Sequence, residues 1–212
     1  MKIEFVSDVA CPWCAVGLAS LERALERIGS DIPVELRFEP FELNPTLGPE
    51  GSDAAEYLRA KYGLSAEQLA RNRENIRQRG AAVGFDFGER AHVWNTFDAH
   101  RLLHWAGLEG HQRELKHALL EAYHGQGRNP GAHDVLVELA GKVGLDPKRA
   151  AAILESGQYA AEVRAREAHW QELGVHAVPS LIVDGRHLIQ GGQPPEVFEQ
   201  ALRRIAAEQA HA

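Results

Sequence analysis

The chain has 212 residues, a formal net charge of −7 and 25% charged residues, which is the composition of an ordinary globular protein. A mildly acidic chain does not offer the broad basic surface that nucleic acid requires, so we expect no nucleic-acid partner. No apolar run approaches the length of a membrane span, and the residues after Met1 do not resemble a secretory signal. We therefore expect a cytoplasmic protein with no membrane partner.

The first forty residues predict a β-α-β unit. Residues 2–6 are mainly apolar and predict a strand, and leucines recur at helical spacing between Pro12 and Ile28. Apolar and charged residues then alternate over 34–39, which predicts a second strand. Because a helix connects the two strands, we expect them to be parallel.

The middle of the chain predicts helices. Residues 40–51 contain several prolines and glycines and predict a loop. Residues 52–156 then show helical patterns and almost no strand signal. We interpret this long segment as a helical insertion.

Strand signals return near the end of the chain. A helix is predicted over 159–173, followed by strands at 180–183 and 187–189, and a last helix from Pro194. Asp184-Gly185 between the two strands is a hairpin turn signal.

Together, these elements predict an α/β protein with a thioredoxin-like fold. Residues 1–51 and 157–212 supply its β-α-β and α-β-β-α halves, and residues 52–156 form an all-helical insertion domain between them.

One motif carries the chemistry, because the chain's two cysteines lie in Cys11-Pro12-Trp13-Cys14 at the predicted start of the first helix. A C-x-x-C pair after a strand is typical of a dithiol/disulfide site. Free N–H groups at a helix start stabilise an anion, so Cys11 is the predicted nucleophile and Cys14 the resolving cysteine. Pro12 suits the first helical turn, and Trp13 offers an apolar surface for a substrate chain or small thiol.

The alternative for the two cysteines is half of a zinc site. A structural zinc site needs two further ligands at suitable spacing, and no second C-x-x-C pair exists. We therefore expect no metal.

Asp8 and Glu39 are candidate proton acceptors for Cys14. Each lies near the C-terminal end of a predicted core strand, the edge where the sites of α/β folds form. An ordinary strand-end charge is the competing interpretation for both residues.

The chain resembles the DsbA-like thioredoxin-domain family, in its cytoplasmic FrnE-type branch. The resemblance rests on five segments in the same order, namely residues 7–14 (SDVACPWC), 40–45 (PFELNP), 95–102 (NTFDAHRL), 174–180 (GVHAVPS) and 191–195 (GGQPP). The same family is related to 2-hydroxychromene-2-carboxylate isomerases and kappa-class glutathione transferases, which usually carry a serine at the position of Cys11.

The resemblance implies further site residues. It implies a cis-proline at Pro179 facing the cysteines, with the backbone of Val178 pairing with bound substrate as an added strand would. Gln193 is implied to contact glutathione or a peptide backbone. His100 lies in one of the family-like segments, and a role in the cleft and a purely structural role both stay open.

We therefore predict a protein thiol:disulfide oxidoreductase that requires no cofactor, with protein thiols, or small thiols such as glutathione, as partners. One alternative is a glutathione-dependent isomerase or transferase. Another is a chaperone-like peptide-binding module. The direction of exchange, and the choice between a monomer and a homodimer, stay open.

Overall fold

The structure is a computed structural model that describes residues 1–210. In chain order, the elements are β1 (Lys2–Ser7), α1 (Pro12–Ile28), β2 (Glu35–Pro40), β3 (Ser52–Asp53), α2 (Ala54–Tyr62), α3 (Ala66–Val83), β4 (His92–Val93), α4 (Phe97–Leu108), α5 (Gln112–Leu120), α6 (His133–Lys142), α7 (Pro147–Ser156), α8 (Ala160–Glu172), β5 (Ser180–Val183), β6 (His187–Gln190) and α9 (Pro195–Ala210). No helix among these residues is both long enough and apolar enough to cross a membrane.

A four-stranded sheet in the order β2-β1-β5-β6 forms the centre of the fold. β1 runs parallel to β2 and antiparallel to β5, which forms a hairpin with β6. This is the predicted arrangement of a parallel pair and a returning hairpin. Ile3 and Phe5 point to the side of the sheet where α1 and α9 pack, because alternate residues of a strand face opposite sides.

The other side of the sheet is covered by α8. Val6 packs there with Trp170 and Val175, in a small separate apolar cluster. Residues of β2 that align with β1 in register share the same alternation, so Glu39 opposite Val6 faces α8 as well. The side of the sheet that faces α1 and α9 is therefore apolar, whereas the side that faces α8 also carries the charged residue Glu39.

The segment between β2 and β5 is helical, as predicted, with one exception. Ser52–Asp53 pairs with His92–Val93 as a two-residue antiparallel ladder. Two residues are too few to produce the alternation that identifies a strand in a sequence. The Asp53 carboxylate also caps α2 by accepting hydrogen bonds from the N–H groups of Ala55 and Glu56, so the ladder places the start of that helix.

Helices α4 to α7 have their own apolar core, and it extends to the motif. Leu102, Leu119 and Tyr123 are fully buried in it, and Val9 and Ala10, which directly precede Cys11, belong to the same cluster. The residues before the cysteines are therefore packed by the inserted helices and not by the sheet alone. The predicted insertion domain, residues 52–156, stays a proposal.

Candidate active site

Both cysteines lie at the N-terminal end of α1. Cys11 is the N-cap residue, with extended backbone dihedrals, and Pro12 opens the helix. Cys14 lies in the first turn, where its N–H donates to the Cys11 carbonyl at 3.0 Å. Both are free thiols, Cys11 is 4% exposed and Cys14 is fully buried. Cys11 is thus the more accessible sulfur, although only an edge of its side chain reaches the surface.

The loop before β5 lies against Cys11. The Val178–Pro179 peptide bond is cis, and the Cys11 thiol donates a hydrogen bond to the Val178 carbonyl at 3.6 Å. Gly17 allows this approach, because a Cβ on it would lie 2.9 Å from Cγ of Pro179. The structure therefore brings Cys11, Val178 and Pro179 together.

Trp13 forms the rim of the site together with the loop after β6. The Arg79 guanidinium lies over the Trp13 ring at 5.9 Å and donates to the Gly192 carbonyl at 2.9 Å. The amide of Gln193 donates to the Gln190 carbonyl at 2.7 Å, which folds this side chain back on its own loop. Trp13 is half-buried and keeps apolar surface available beside the cysteines.

Asp8 is a buried hydrogen-bond acceptor. Its carboxylate accepts from the N–H groups of Ala10 at 3.0 Å and Leu43 at 2.6 Å, and from the Thr96 hydroxyl at 2.7 Å, while Nε2 of His100 lies 3.3 Å away. Burial raises its pKa, but the His100 interactions and the backbone donors outweigh burial and leave the pKa below its usual value. A carboxylate stabilised in this way is a weak base, so its geometry favours an anchoring role over the predicted proton transfer.

Thr96 and His100 both belong to the family-like segment 95–102, and both contact the buried Asp8 carboxylate. His100 is 2% exposed. The next residue, Arg101, donates from its guanidinium to the carbonyls of Ile153 and Gln158, at the end of α7 and just beyond it. The segment therefore connects the inserted helices to one another and to the end of β1.

Glu39 lies on the α8 side of the sheet, a placement that disfavours the predicted proton transfer with Cys14. Its carboxylate accepts from the Arg166 guanidinium at 2.7 Å and from the Trp170 indole at 3.2 Å, both on α8. Strand alternation directs Glu39 to the α8 side of the sheet. Helix α1, at whose start the cysteines lie, packs on the other side. Proximity to a strand end did not reveal which face the side chain would take.

Two residues of the insertion hold the backbone before Cys11. Nε2 of His124 donates to the Val9 carbonyl at 2.8 Å, and the Arg90 guanidinium donates to the Ala10 carbonyl at 3.2 Å. His124 lies in a π-helical turn over Glu121–Gly125, an irregularity frequent at functional sites. Burial and the Arg90 charge lower the pKa of His124 to about 3, so the ring is neutral. No pattern in the sequence indicated either residue.

Lys116 on α5 is the third residue that the sequence did not indicate. It is 1% exposed, and its charge interacts with Cys14 and Asp8. Burial, the hydrogen bond with Cys11 and the Cys11 charge raise the pKa of Cys14 well above its usual value, while the Lys116 charge acts in the opposite direction. Cys14 therefore sits in an apolar setting with one buried cation near it.

The arrangement suits thiol–disulfide exchange in three respects. One sulfur lies at a helix start beside an extended backbone segment, a second lies one turn deeper, and the loop between strand and helix is held by several hydrogen bonds. No group of three or more His, Cys, Asp or Glu side chains within residues 1–210 is arranged to hold a metal ion.

Comparisons with known proteins identify the family. Residues 2–203 match the DSBA-like thioredoxin domain, which is nearly the whole chain. This chain belongs to the DsbA-like thioredoxin-domain family. The chain is 30% identical over 207 residues to the uncharacterized protein YwbO of Bacillus subtilis, covering 95% of this chain and 96% of the relative.

Solved structures agree with this assignment. The probable DsbA oxidoreductase SCO1869 of Streptomyces coelicolor is 37% identical, with a TM-score of 0.93 over 98% of this chain and 91% of the other. A 2-hydroxychromene-2-carboxylate isomerase at 17% identity has a TM-score of 0.74, covering 100% of this chain and 98% of the other. The cytosolic disulfide reductase DsbM of Pseudomonas aeruginosa, solved with glutathione, is 18% identical with a TM-score of 0.68, covering 98% of this chain and all of the other. At these low identities, the last two show a shared fold.

Proposed function

We propose that this protein is a thiol:disulfide oxidoreductase in which Cys11 attacks the substrate disulfide and Cys14 resolves the mixed disulfide. The observation that carries the proposal is the placement of Cys11 at the start of α1, with its thiol 3.6 Å from the Val178 carbonyl. A substrate chain that pairs with the backbone of Val178 would present its sulfur beside Cys11.

Each step has a residue suited to it. The free N–H groups and dipole of α1 stabilise a thiolate on Cys11, which is the reactive form in exchange. Cys14 is buried and protected from solvent, so it reacts with the adjacent Cys11 and not with an external disulfide. Trp13 and Pro12 supply apolar contact surface at the rim, and Gln193 borders it from the loop after β6.

The test uses the wild-type protein with two single variants. Insulin reduction and reactivation of scrambled ribonuclease should both disappear in Cys11→Ser. In Cys14→Ser the first attack should survive, so a stable mixed disulfide should accumulate on Cys11 and be visible by mass spectrometry. Full activity in Cys11→Ser would overturn the proposal.

The direction of the reaction depends on the reduction potential of the Cys11–Cys14 pair. A value near about −120 mV would mark an oxidant, and one near about −270 mV a reductant. We propose the cytoplasm as the compartment, and the structural similarity to a cytosolic disulfide reductase supports this proposal. Equilibration of the pair against glutathione buffers of known ratio measures the potential.

Glutathione is the second candidate partner, and one observation favours it. Three cations from the insertion are anchored on backbone carbonyls around the motif: Lys61 on Leu43 at 2.6 Å, Arg79 on Gly192 at 2.9 Å and Arg90 on Ala10 at 3.2 Å. Glutathione carries two carboxylates that such groups can bind. Saturable glutathione binding, with activity that survives Cys14→Ser, would favour a glutathione-dependent isomerase or transferase. Suppression of aggregation by the double cysteine variant would instead favour the chaperone-like alternative.

A further inference from the structure

We propose that the cavity between α3 and the start of α1 is a second substrate subsite, which binds an acidic segment of the disulfide-bearing polypeptide beside its reacting cysteine. This inference rests on the proposed thiol–disulfide exchange at Cys11 and adds a class of substrate to it. The residue that binds the acidic segment is Arg73 on α3.

The cavity adjoins the cysteine motif. Its volume is about 630 Å³, within the range of roughly 300–1,000 Å³ that is typical of ligand pockets. Pro12, the residue after Cys11, lines it. Arg90 lines it as well, and its guanidinium donates to the carbonyl of Ala10, the residue before Cys11. Val178 does not line the cavity, so a chain joined to Cys11 can extend into it in addition to pairing with the Val178 backbone.

Apolar side chains form a fixed part of the cavity wall. Ala70 and Ile76 on α3 line it together with Phe87, which lies in the loop before β4. Helix α3 packs closely on this loop, because a Cβ on Gly80 would lie 2.5 Å from the Phe87 ring. The Phe87 ring in turn makes an edge contact with the ring of His124, with centroids 5.7 Å apart. A wall that is already packed loses little freedom when a ligand binds.

Three of the charged side chains that line the cavity are already paired. The Arg77 guanidinium donates to the Glu74 carboxylate at 2.8 and 2.7 Å and lowers the pKa of Glu74 to about 2. The Asp53 carboxylate accepts from the N–H groups at the start of α2. These three side chains therefore have little left to offer a ligand.

Arg73 and Arg90 are the cations of the cavity that remain available. Arg73 is exposed and, unlike Arg77, pairs with no carboxylate among residues 1–210. Arg90 lies over the Tyr123 ring at 5.3 Å, which fixes its position but does not neutralise its charge. Glu89 is the lining carboxylate for which the described residues supply no ion pair. The unpaired charge is therefore positive, and a carboxylate of the ligand can take a bidentate bond from Arg73.

The distribution of charge along the chain favours the same ligand. Residues 52–92, which include α2, α3 and the loop before β4, contain seven Lys and Arg against six Asp and Glu. The whole chain contains 23 Lys and Arg against 30 Asp and Glu, so its excess negative charge lies elsewhere. An acidic polypeptide is repelled by the rest of the surface and is thereby guided to this side of the motif.

The test measures attack by Cys11 on symmetric peptide disulfides, in the full-length Cys14→Ser protein. Each short peptide has capped ends and a central cysteine, with two aspartates, two alanines or two lysines either before or after it. The Cys11 thiolate attacks one sulfur and the peptide S–S bond breaks. Cys11 stays joined to one peptide, and the other leaves as a thiolate that takes a proton from solvent. Mass spectrometry follows the Cys11–peptide adduct.

We expect the aspartate peptides of at least one orientation to react about fivefold faster than the alanine peptides, which is the size of effect typical of one partly exposed ion pair. Added salt should reduce this preference. Arg73→Gln should abolish it, Arg73→Glu should transfer it to the lysine peptides, and Glu89→Gln should increase it. Arg71→Gln is the matched control, because Arg71 lies on the same helix but does not line the cavity, and it should leave the preference unchanged.

A second pair of variants tests the cavity itself. Ala70→Trp should fill the cavity and remove the preference for aspartate peptides, whereas Ala81→Trp, at an exposed position of α3 outside the cavity, should retain it. The neutral small disulfide 2,2′-dithiodipyridine reports the intrinsic reactivity of Cys11. Its rate of reaction should be the same in all of these variants, because it is too small to need the subsite.

Three outcomes would overturn the inference. They are equal rates for the three classes of peptide, a preference that Arg73→Gln leaves unchanged, and a preference that Arg71→Gln reduces as much as Arg73→Gln does. If Cys11 reacted with neither the peptides nor 2,2′-dithiodipyridine, the proposed exchange function itself would be wrong.

Discussion

The Cys11 thiol donates a hydrogen bond to the Val178 carbonyl at 3.6 Å across 167 positions of sequence. This contact joins the two halves of the thioredoxin-like fold at the point where α1 begins. It leaves the backbone beside Pro179 next to the sulfur of the proposed nucleophile, which is the geometry that a pairing substrate chain requires. The close approach of α1 to the Val178–Pro179 loop therefore sets the shape of the site.

Gly17→Ala should disturb this approach. A Cβ at Gly17 would lie 2.9 Å from Cγ of Pro179, so the loop must move away from α1. We expect a loss of about 1–3 kcal/mol in the free energy of unfolding, and slower exchange with insulin. Urea denaturation and the insulin assay measure the two effects. Glu26→Ala, at an exposed position of the same helix, is the control, and a Gly17→Ala protein as stable and active as that control would contradict the prediction.

His124 should make the protein less stable in mild acid. The pKa of His124 is lowered to about 3 in the folded state against 6.5 for an ordinary histidine. Between these two pH values, His124 is protonated in the unfolded chain but neutral in the folded protein. The contribution of His124 to the free energy of unfolding is therefore fully present above about pH 6.5 and is lost progressively as the pH is lowered. Each pH unit in this range costs about 1.4 kcal/mol.

The measurement compares urea denaturation at pH 6.5 and pH 5 for the wild type and His124→Gln. Because the variant cannot titrate at this position, it should lose about 2 kcal/mol less than the wild type over that interval. The difference between the two proteins cancels the contributions of the other histidines. Equal losses in both proteins would mean that His124 is not buried in its neutral form.

Asp8→Asn should destabilise the protein. The amide cannot accept from all the donors that the carboxylate satisfies, and a buried unsatisfied donor costs on the order of 1–3 kcal/mol. We expect a loss of about 3 kcal/mol in urea denaturation, because Asp8 is fully buried. The exposed Asp134→Asn should change stability little. Unchanged stability, combined with a shifted pH profile of Cys14 resolution, would instead restore Asp8 as the proton acceptor.

Glu39→Gln should leave the redox chemistry intact. The side chain pairs with Arg166 and Trp170 on the far face of the sheet, so its charge is not required by Cys14. With 5,5′-dithiobis(2-nitrobenzoate) as the substrate, attack by Cys11 releases one thionitrobenzoate and resolution by Cys14 releases the second. We expect the rate of the second release to be close to that of the wild type, and a stability loss of about 1 kcal/mol or less. A clearly slower second release in Glu39→Gln would support Glu39 as a proton acceptor for Cys14.

Local patterns in the sequence were sufficient for most of the fold. The start of α1 at Pro12 and its end at Ile28 agree with the predicted limits, because proline and the leucine spacing act over a few neighbouring residues. The hairpin of β5 and β6 follows from the Asp184-Gly185 turn, where both residues have positive φ. The β3–β4 pair escaped detection because two residues carry no period.

The candidate site likewise combines residues that the sequence indicated with residues that it did not. The sequence by itself determined the candidate reactive pair, since Cys11 and Cys14 lie within one helical turn and need no distant contact to be recognised. Only the tertiary structure decided that Glu39 faces α8, and that His124 and Arg90 hold the backbone before Cys11. Arg90 lies 80 positions beyond Ala10 and His124 lies 115 positions beyond Val9, and their places depend on how the inserted helices pack. Helix packing depends on the sum of many apolar contacts, so no local pattern records which side chain will lie beneath a given sulfur.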